Sequence, residues 1–244
     1  MTQEFAAEPP RRAPLRGAEV TERIKSYILQ HHLRPGDALP TESTLCAELG
    51  ASRSSVREAI KTLSALDIVD VRHGHGTYVG RLSLSALLEG LTFRAMLSTQ
   101  DDFAVLSELV GVRQLLEQGL AQPIVDAFDH QLDSSLTDLV DQMRTLAARG
   151  EPFVEQDRAF HLMLMQPLQN KLVGQLTAAF WDIHALVAPL LETTATDVQD
   201  TVDAHQEIVR AAASNDTARF VTAVAAHYAP VRRQLHARMS TPRS

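Results

Sequence analysis

The sequence predicts a mainly α protein: an N-terminal winged helix-turn-helix followed by an all-α bundle of six or seven helices. Three observations carry this. Short helical patterns at residues 41–49 and 52–66 flank a turn containing Gly50. Two β-branched runs, "DIVDV" and "GTYVG", follow with "RHGHG" between them, the signature of a small hairpin or wing. Beyond residue 81 almost no strand pattern remains, only long apolar repeats at helical spacing.

The elements follow in order. Residues 1–14 are polar and proline-bearing and read as a disordered arm; Arg11 and Arg12 fit a solvated tail better than a phosphate contact. Val20, Ile24, Tyr27 and Ile28 recur at helical spacing, and Pro35-Gly36-Asp37 then signals a turn. Thr41 is placed to cap the next helix, with Glu42 in its first turn and Gly50 at its end. Ser52 or Ser54 can cap the helix after that. Further helices are expected at 83–97, 102–128, 131–149, 152–166, 171–191, 197–214 and 216–239, with kinks or ends at Pro123 and Pro189. The expected division is 15–80 for the winged head, 81–101 for a linker helix and 102–240 for the bundle.

Charge separates the same parts. The chain of 244 residues carries a net charge of -7. Residues 1–80 hold ten basic and ten acidic side chains, so the whole deficit lies beyond them. An acidic bundle repels a polyanion, which leaves the head for any nucleic-acid contact. The single cysteine, Cys46, excludes an internal disulfide and fits a reducing cytoplasm. It reads as a small apolar core residue. No apolar run approaches the ~20 residues of a membrane span, and "MTQEFAAEPPRRAP" has no apolar core of a signal peptide. A cytoplasmic protein is expected.

On a helix starting near Ser52, Arg53, Arg57 and Lys61 form one stripe, and Val56, Ile60 and Leu63 form the adjoining apolar stripe. A basic, hydroxyl-rich first turn suits DNA, because helix N-termini and hydroxyls hold phosphates and arginine reads guanine edges. The stripe alone reads equally well as a solvated face with Arg57 paired to Glu58 or Glu42. The helix-turn-helix and the wing decide for DNA.

The elements "PGDALPTE", "ELGASRSSVREAI" and "GHGTYV" resemble the winged helix-turn-helix of the GntR family of bacterial transcription regulators. The resemblance implies DNA contacts from Arg53, Ser54, Ser55 and Arg57, and from His73 and Gly74 at the wing tip. Two positions depart from the family pattern. Ser43 stands where an arginine is common, and Asp67 stands where a glycine usually precedes the strand.

In "EQDRAFHLMLM", Asp157 and His161 lie one helical turn apart among apolar neighbours. His205 and His227 sit in later, mostly apolar helices and can converge on that pair. By spacing alone, hydrogen-bonded core histidines are the simpler reading, with a shared metal as the alternative. Residues 102–238 are similar to the FCD ligand-binding domain of the FadR subfamily through "VGVRQLLEQGLA", "DRAFHLMLMQPLQNKLVGQL" and "HQEIVRAAASND". That resemblance implies a divalent metal, zinc first with nickel or manganese as alternatives, held by Asp157, His161, His205 and His227. It also implies a small carboxylate effector, a sugar acid or hydroxy acid. Arg113 is its candidate clamp, with an Arg113–Glu117 helix pair as the alternative. Asn170 and His184 are further pocket candidates, and Trp181 reads first as core.

The expected function is a metabolite-responsive regulator, a homodimeric repressor on pseudo-palindromic operator DNA, and not an enzyme. Two alternatives stay open at this level. One is a regulator with an acyl-CoA tunnel and no metal. The other is a metal-dependent hydrolase, disfavoured because no acid-base group accompanies the four ligands and the head would have no role.

Overall fold

In a computed structural model, residues 17–99, 103–187 and 194–239 are described. The expected arm at 1–14 and Pro189 lie outside the described residues. The chain divides into two compact units, one ending at Ala86 and one starting at Leu87.

In the first unit, α1 (Gly17–Gln30), α2 (Glu42–Leu49) and α3 (Arg53–Ala65) precede the strands β1 (Val69–Arg72) and β2 (Gly76–Val79). Val20, Ile24 and Ile28 of α1 meet Leu45 of α2 and Val56, Ile60 and Leu63 of α3 in one core, closed by Val69 and Val79. Cys46 packs half-buried at its edge. Thr41 caps α2 by accepting from the Thr44 amide, and Gly50 ends it at φ +62°. The strands pair antiparallel with Val69 opposite Val79 and Arg72 opposite Gly76. The stretch after Pro35 runs alongside: Leu39 N donates to Thr77 O, and Val79 N donates to Asp37 O.

Asp67 takes φ +54°, a left-handed turn that aspartate tolerates better than most residues. Its carboxylate accepts from the Ser83 amide at 3.0 Å, and its carbonyl accepts from Leu82 N. The departure from glycine is therefore absorbed by a side-chain hydrogen bond. The close approach falls on Gly80 instead, where a Cβ would sit 2.3 Å from the Asp67 carbonyl oxygen.

The second unit is all helical among the described residues. It runs α4 (Ser85–Thr99), which begins just before the boundary, α5 (Ala104–Gly119), α6 (Ala121–Asp126), α7 (His130–Ala148) and α8 (Val154–Met165). Then come α9 (Lys171–Val187), α10 (Ala195–Ala213), α11 (Thr217–His227) and α12 (Ala229–Met239). Leu136, Met143, Phe160, Leu164, Val202 and Phe220 are at its centre. Two expected helices are each split. The 102–128 pattern becomes α5 and α6, because Pro123 cannot donate to the carbonyl four residues back. The 216–239 pattern breaks at Tyr228 for the same reason, with Pro230 in the first turn of α12. No described helix is long and apolar enough to cross a membrane.

Gly80→Ala should destabilise the first unit by about 1–3 kcal/mol, since the contacted atoms are backbone and cannot swing away; chemical denaturation measures it. A second outcome concerns acid. Asp197 closes a capping box with Thr194 at the start of α10 and accepts from Arg233 at 2.8 Å. Burial opposes its charge, but Arg233 and Thr194 outweigh this and hold the carboxyl below its ordinary value. A lowered folded-state pKa stabilises above the unfolded value and is lost as pH falls through the folded one. The stability advantage of the native chain over Asp197→Asn should thus be full at pH 7 and shrink below about pH 4, as followed by denaturation across pH.

Candidate functional site

The chemistry in the first unit is on its surface. Ser52 caps α3 by accepting from the Ser55 amide at 3.1 Å, and its hydroxyl lies 2.8 Å from that of Ser54. This fixes the helix start and leaves Arg53, Ser54, Arg57 and Lys61 exposed while Val56, Ile60 and Leu63 are buried. Arg57 donates to Glu42 at 2.8 Å, so the pair weighed from sequence does form, in the open and between two helices. His73 and Gly74 are exposed between the strands, where Gly74 at φ +77° makes the tight turn.

In the second unit the chemistry is buried. Asp157 and His161 from α8, His205 from α10 and His227 from α11 each offer a ligand atom, all within 4.8 Å of one another. Nε2 of His205 lies 2.9 Å and Nε2 of His161 3.4 Å from Asp157 Oδ1. The His161 and His227 Nε2 atoms are 3.1 Å apart. Each of the first two rings is oriented from behind. His205 Nδ1–H donates to Thr201 O at 2.8 Å, and His161 Nδ1 lies 2.9 Å from Glu117 Oε1, off the ideal hydrogen-bond line. Tyr228 donates to the same Glu117 oxygen at 2.7 Å.

This arrangement tests whether the residues fit a cation. A neutral His205 has used its proton on Thr201, so its Nε2 turns a lone pair to the Asp157 carboxylate. Two acceptors at 2.9 Å need a proton or a cation between them. Burial opposes a charge on His161, but Glu117 and Asp157 outweigh it and raise the ring to about 9. Burial, and then the neighbouring His205 and His161, drive His227 well below its ordinary range. Asp157 is held well below the carboxylate range because His205 and His161 overcome its burial. One proton on His161 thus meets only part of the demand. Three nitrogens and one carboxylate oxygen around a shared point, with the outer nitrogens of His205 and His161 held from behind, fit a divalent transition metal.

A cavity of about 720 Å³ opens beside the cluster and is lined by Arg113, Asp157, Trp181, His184, His227 and Tyr228 among others. Arg113 is 6% exposed. Its guanidinium lies 4.3 Å over the Trp181 ring and 5.4 Å from that of Tyr228, and no carboxylate of the described residues is within ion-pair distance. The alternative Arg113–Glu117 ion pair does not form, since Glu117 turns to His161 and Tyr228. Trp181 is core and cavity wall at once. Burial, then the Arg113 charge, lower His184 to about 4, so it is neutral near pH 7. Asn170 needs correcting: it is exposed, outside the cavity wall, and its side chain accepts from Leu172 N and Val173 N to start α9. An asparagine before a helix prefers that use.

Sequence reasoning missed Glu117 and Tyr228. The available signals were a carboxylate in an apolar helix one turn past Arg113, and a tyrosine beside His227 in a proline-broken helix.

Residues 16–79 match the family described as bacterial regulatory proteins, gntR family, and residues 108–230 match the FCD domain. The chain is 30% identical to the HTH-type transcriptional regulator LutR of Bacillus subtilis (strain 168), over 82% of this chain and 92% of that protein. It is 26% identical to the galactonate operon transcriptional repressor of Escherichia coli (strain K12), over 63% of this chain and 67% of that one. Among solved structures, Streptococcus agalactiae GntR is similar with a TM-score of 0.59 and 25% identity, covering 89% of this chain and 99% of that chain. These relatives are regulators rather than enzymes. The chain belongs to the GntR family of bacterial regulatory proteins and is a DNA-binding transcription regulator that carries an FCD domain.

Proposed function

We propose that this regulator is a homodimeric repressor whose hold on operator DNA is altered by a small carboxylate bound beside a divalent metal, zinc in the first instance. The observation that carries the reading is the convergence of ligand atoms from Asp157, His161, His205 and His227 next to a cavity with a buried Arg113 that has no ion pair among the described residues. When bound, the metal supplies an electropositive centre that attracts an oxygen-rich anion. Arg113 holds and orients the carboxylate through its fork of N–H donors. Its stacking on Trp181 and Tyr228 fixes the plane of that fork without neutralising it. Glu117 and Thr201 keep the rings turned inward.

DNA contact is assigned to Arg53, Ser54, Ser55 and Arg57 on α3 and to His73 and Gly74 on the wing, within a head spanning 15–80. Residues 81–101 are assigned as linker and 102–240 as the effector and dimer domain. Exposed Phe93 and Leu97 on α4, with Val112 and Leu115 on α5, support a second copy as partner. The effector acts on DNA binding only through a difference in its affinity for the DNA-bound and DNA-free arrangements. Among the relatives, the galactonate operon transcriptional repressor supports the repressing sign.

The metal assignment is tested by native mass spectrometry and thermal unfolding of the full chain, before and after chelation. Zinc should restore one ion per chain and raise the unfolding temperature, by up to about 4 kcal/mol of stabilisation at a thousandfold excess over Kd. His227→Gln should lose most of that gain. A chain that takes up no zinc or nickel would return the four side chains to a packing role. For the head, Arg53→Ala should weaken binding to DNA selected from a random pool on the order of tenfold at fixed salt, or lower the salt slope by about one if the contact is a phosphate. Unchanged affinity and slope in fluorescence anisotropy would remove Arg53 from the interface.

A further inference from the structure

We infer that the effector is a monocarboxylic acid with an apolar body, such as a 2-hydroxy acid bearing an aliphatic or aromatic substituent, and not a polyhydroxylated sugar acid. This rests on the anion-site reading of Arg113 given above and concerns the rest of the cavity.

Three observations point this way. The cavity, at about 720 Å³, is within the ~300–1,000 Å³ range of pockets that enclose drug-sized ligands, so a carboxylate at Arg113 leaves most of it to the body of the molecule. Away from Arg113 the wall is apolar, with Val110, Ala147, Phe153, Val154, Val198 and Val231. Four of the polar groups interleaved with them already hold a partner, while the unpartnered Trp181 Nε1 and His227 Nδ1 are at the Arg113 and metal-cluster end. Thr201 Oγ1 donates to Asp197 O at 2.7 Å and Tyr228 donates to Glu117. Gln199 donates to Asp203 at 3.1 Å, and Arg144 to Asp141 at 2.7 Å.

A sugar acid brings a row of hydroxyls that must exchange water for protein partners. Beyond the Arg113 end they would be buried against valines or would have to break an existing pair, and either outcome costs affinity. An apolar body loses nothing on leaving water and gains with every methylene covered. Charge agrees with the single acid group. Arg144, the other cation of the wall, is paired with Asp141, and Glu151 adds a negative charge to the same wall.

The test is isothermal titration of the full chain, with zinc present and then chelated, using glycolate, 2-hydroxybutanoate, 2-hydroxyhexanoate and gluconate. The expected result is a Kd that falls about fourfold per added methylene, with gluconate weaker than 2-hydroxyhexanoate. Val198→Asn, at a half-buried position, should flatten the series and spare glycolate. Arg113→Gln should weaken all four acids. A flat series, or gluconate as the tightest ligand, with binding still dependent on Arg113, overturns the inference and leaves the anion site standing. If no acid binds, or Arg113→Gln changes nothing, the anion-site reading falls and the inference with it.

Discussion

Burying three imidazoles and two carboxylates at the centre of an apolar bundle is the constraint on which the second unit depends. Each such group costs several kcal/mol if left alone in a dry interior. They persist because each is turned toward another. Asp157 faces His161 and His205, Glu117 faces His161 and Tyr228, and the outer nitrogen of His205 is held by a backbone carbonyl of its own helix. These partners come from α5, α8, α10 and α11, so their electrostatic satisfaction fixes how four helices sit against one another. The break at Pro230 serves the same end, since it leaves Tyr228 just past the end of α11 with its hydroxyl on Glu117.

The two units use opposite dielectric regimes. In the head, Arg53, Arg57 and Lys61 stand in water, where charge is screened and a pair such as Arg57–Glu42 contributes little to stability. Such groups remain free to exchange water or a carboxylate for a phosphate or a base edge. In the bundle, Arg113 is shielded from solvent and stacked on two rings, so its charge is strong and directional, with no described carboxylate in ion-pair contact. The exposed arginines suit a large polyanion that arrives from outside. The buried one suits a small anion that can enter a cavity.

The winged head and the helical bundle were legible because local rules dominate there. Thr41, Gly50 and Ser52 are caps wherever they occur before or after an apolar repeat, and the period-2 runs 69–72 and 76–79 have no helical alternative. The i, i+4 spacing of Asp157 and His161 placed both on one face of α8. Asn170 misled because the same amide serves a pocket or a helix start, and only its distance from the cavity separates the two.

What the sequence by itself determined is therefore the set of elements and the residue types able to hold a metal and an anion, since capping, periodicity and donor chemistry act within a few residues. Tertiary structure alone decided that four side chains up to seventy residues apart meet within 4.8 Å. It also decided that Glu117 turns to His161 rather than to Arg113, and that Thr201, Gln199 and Tyr228 in the cavity wall are already engaged. These outcomes depend on distances between helices, which are set by the packing of the whole core and have no signature in any local stretch of chain.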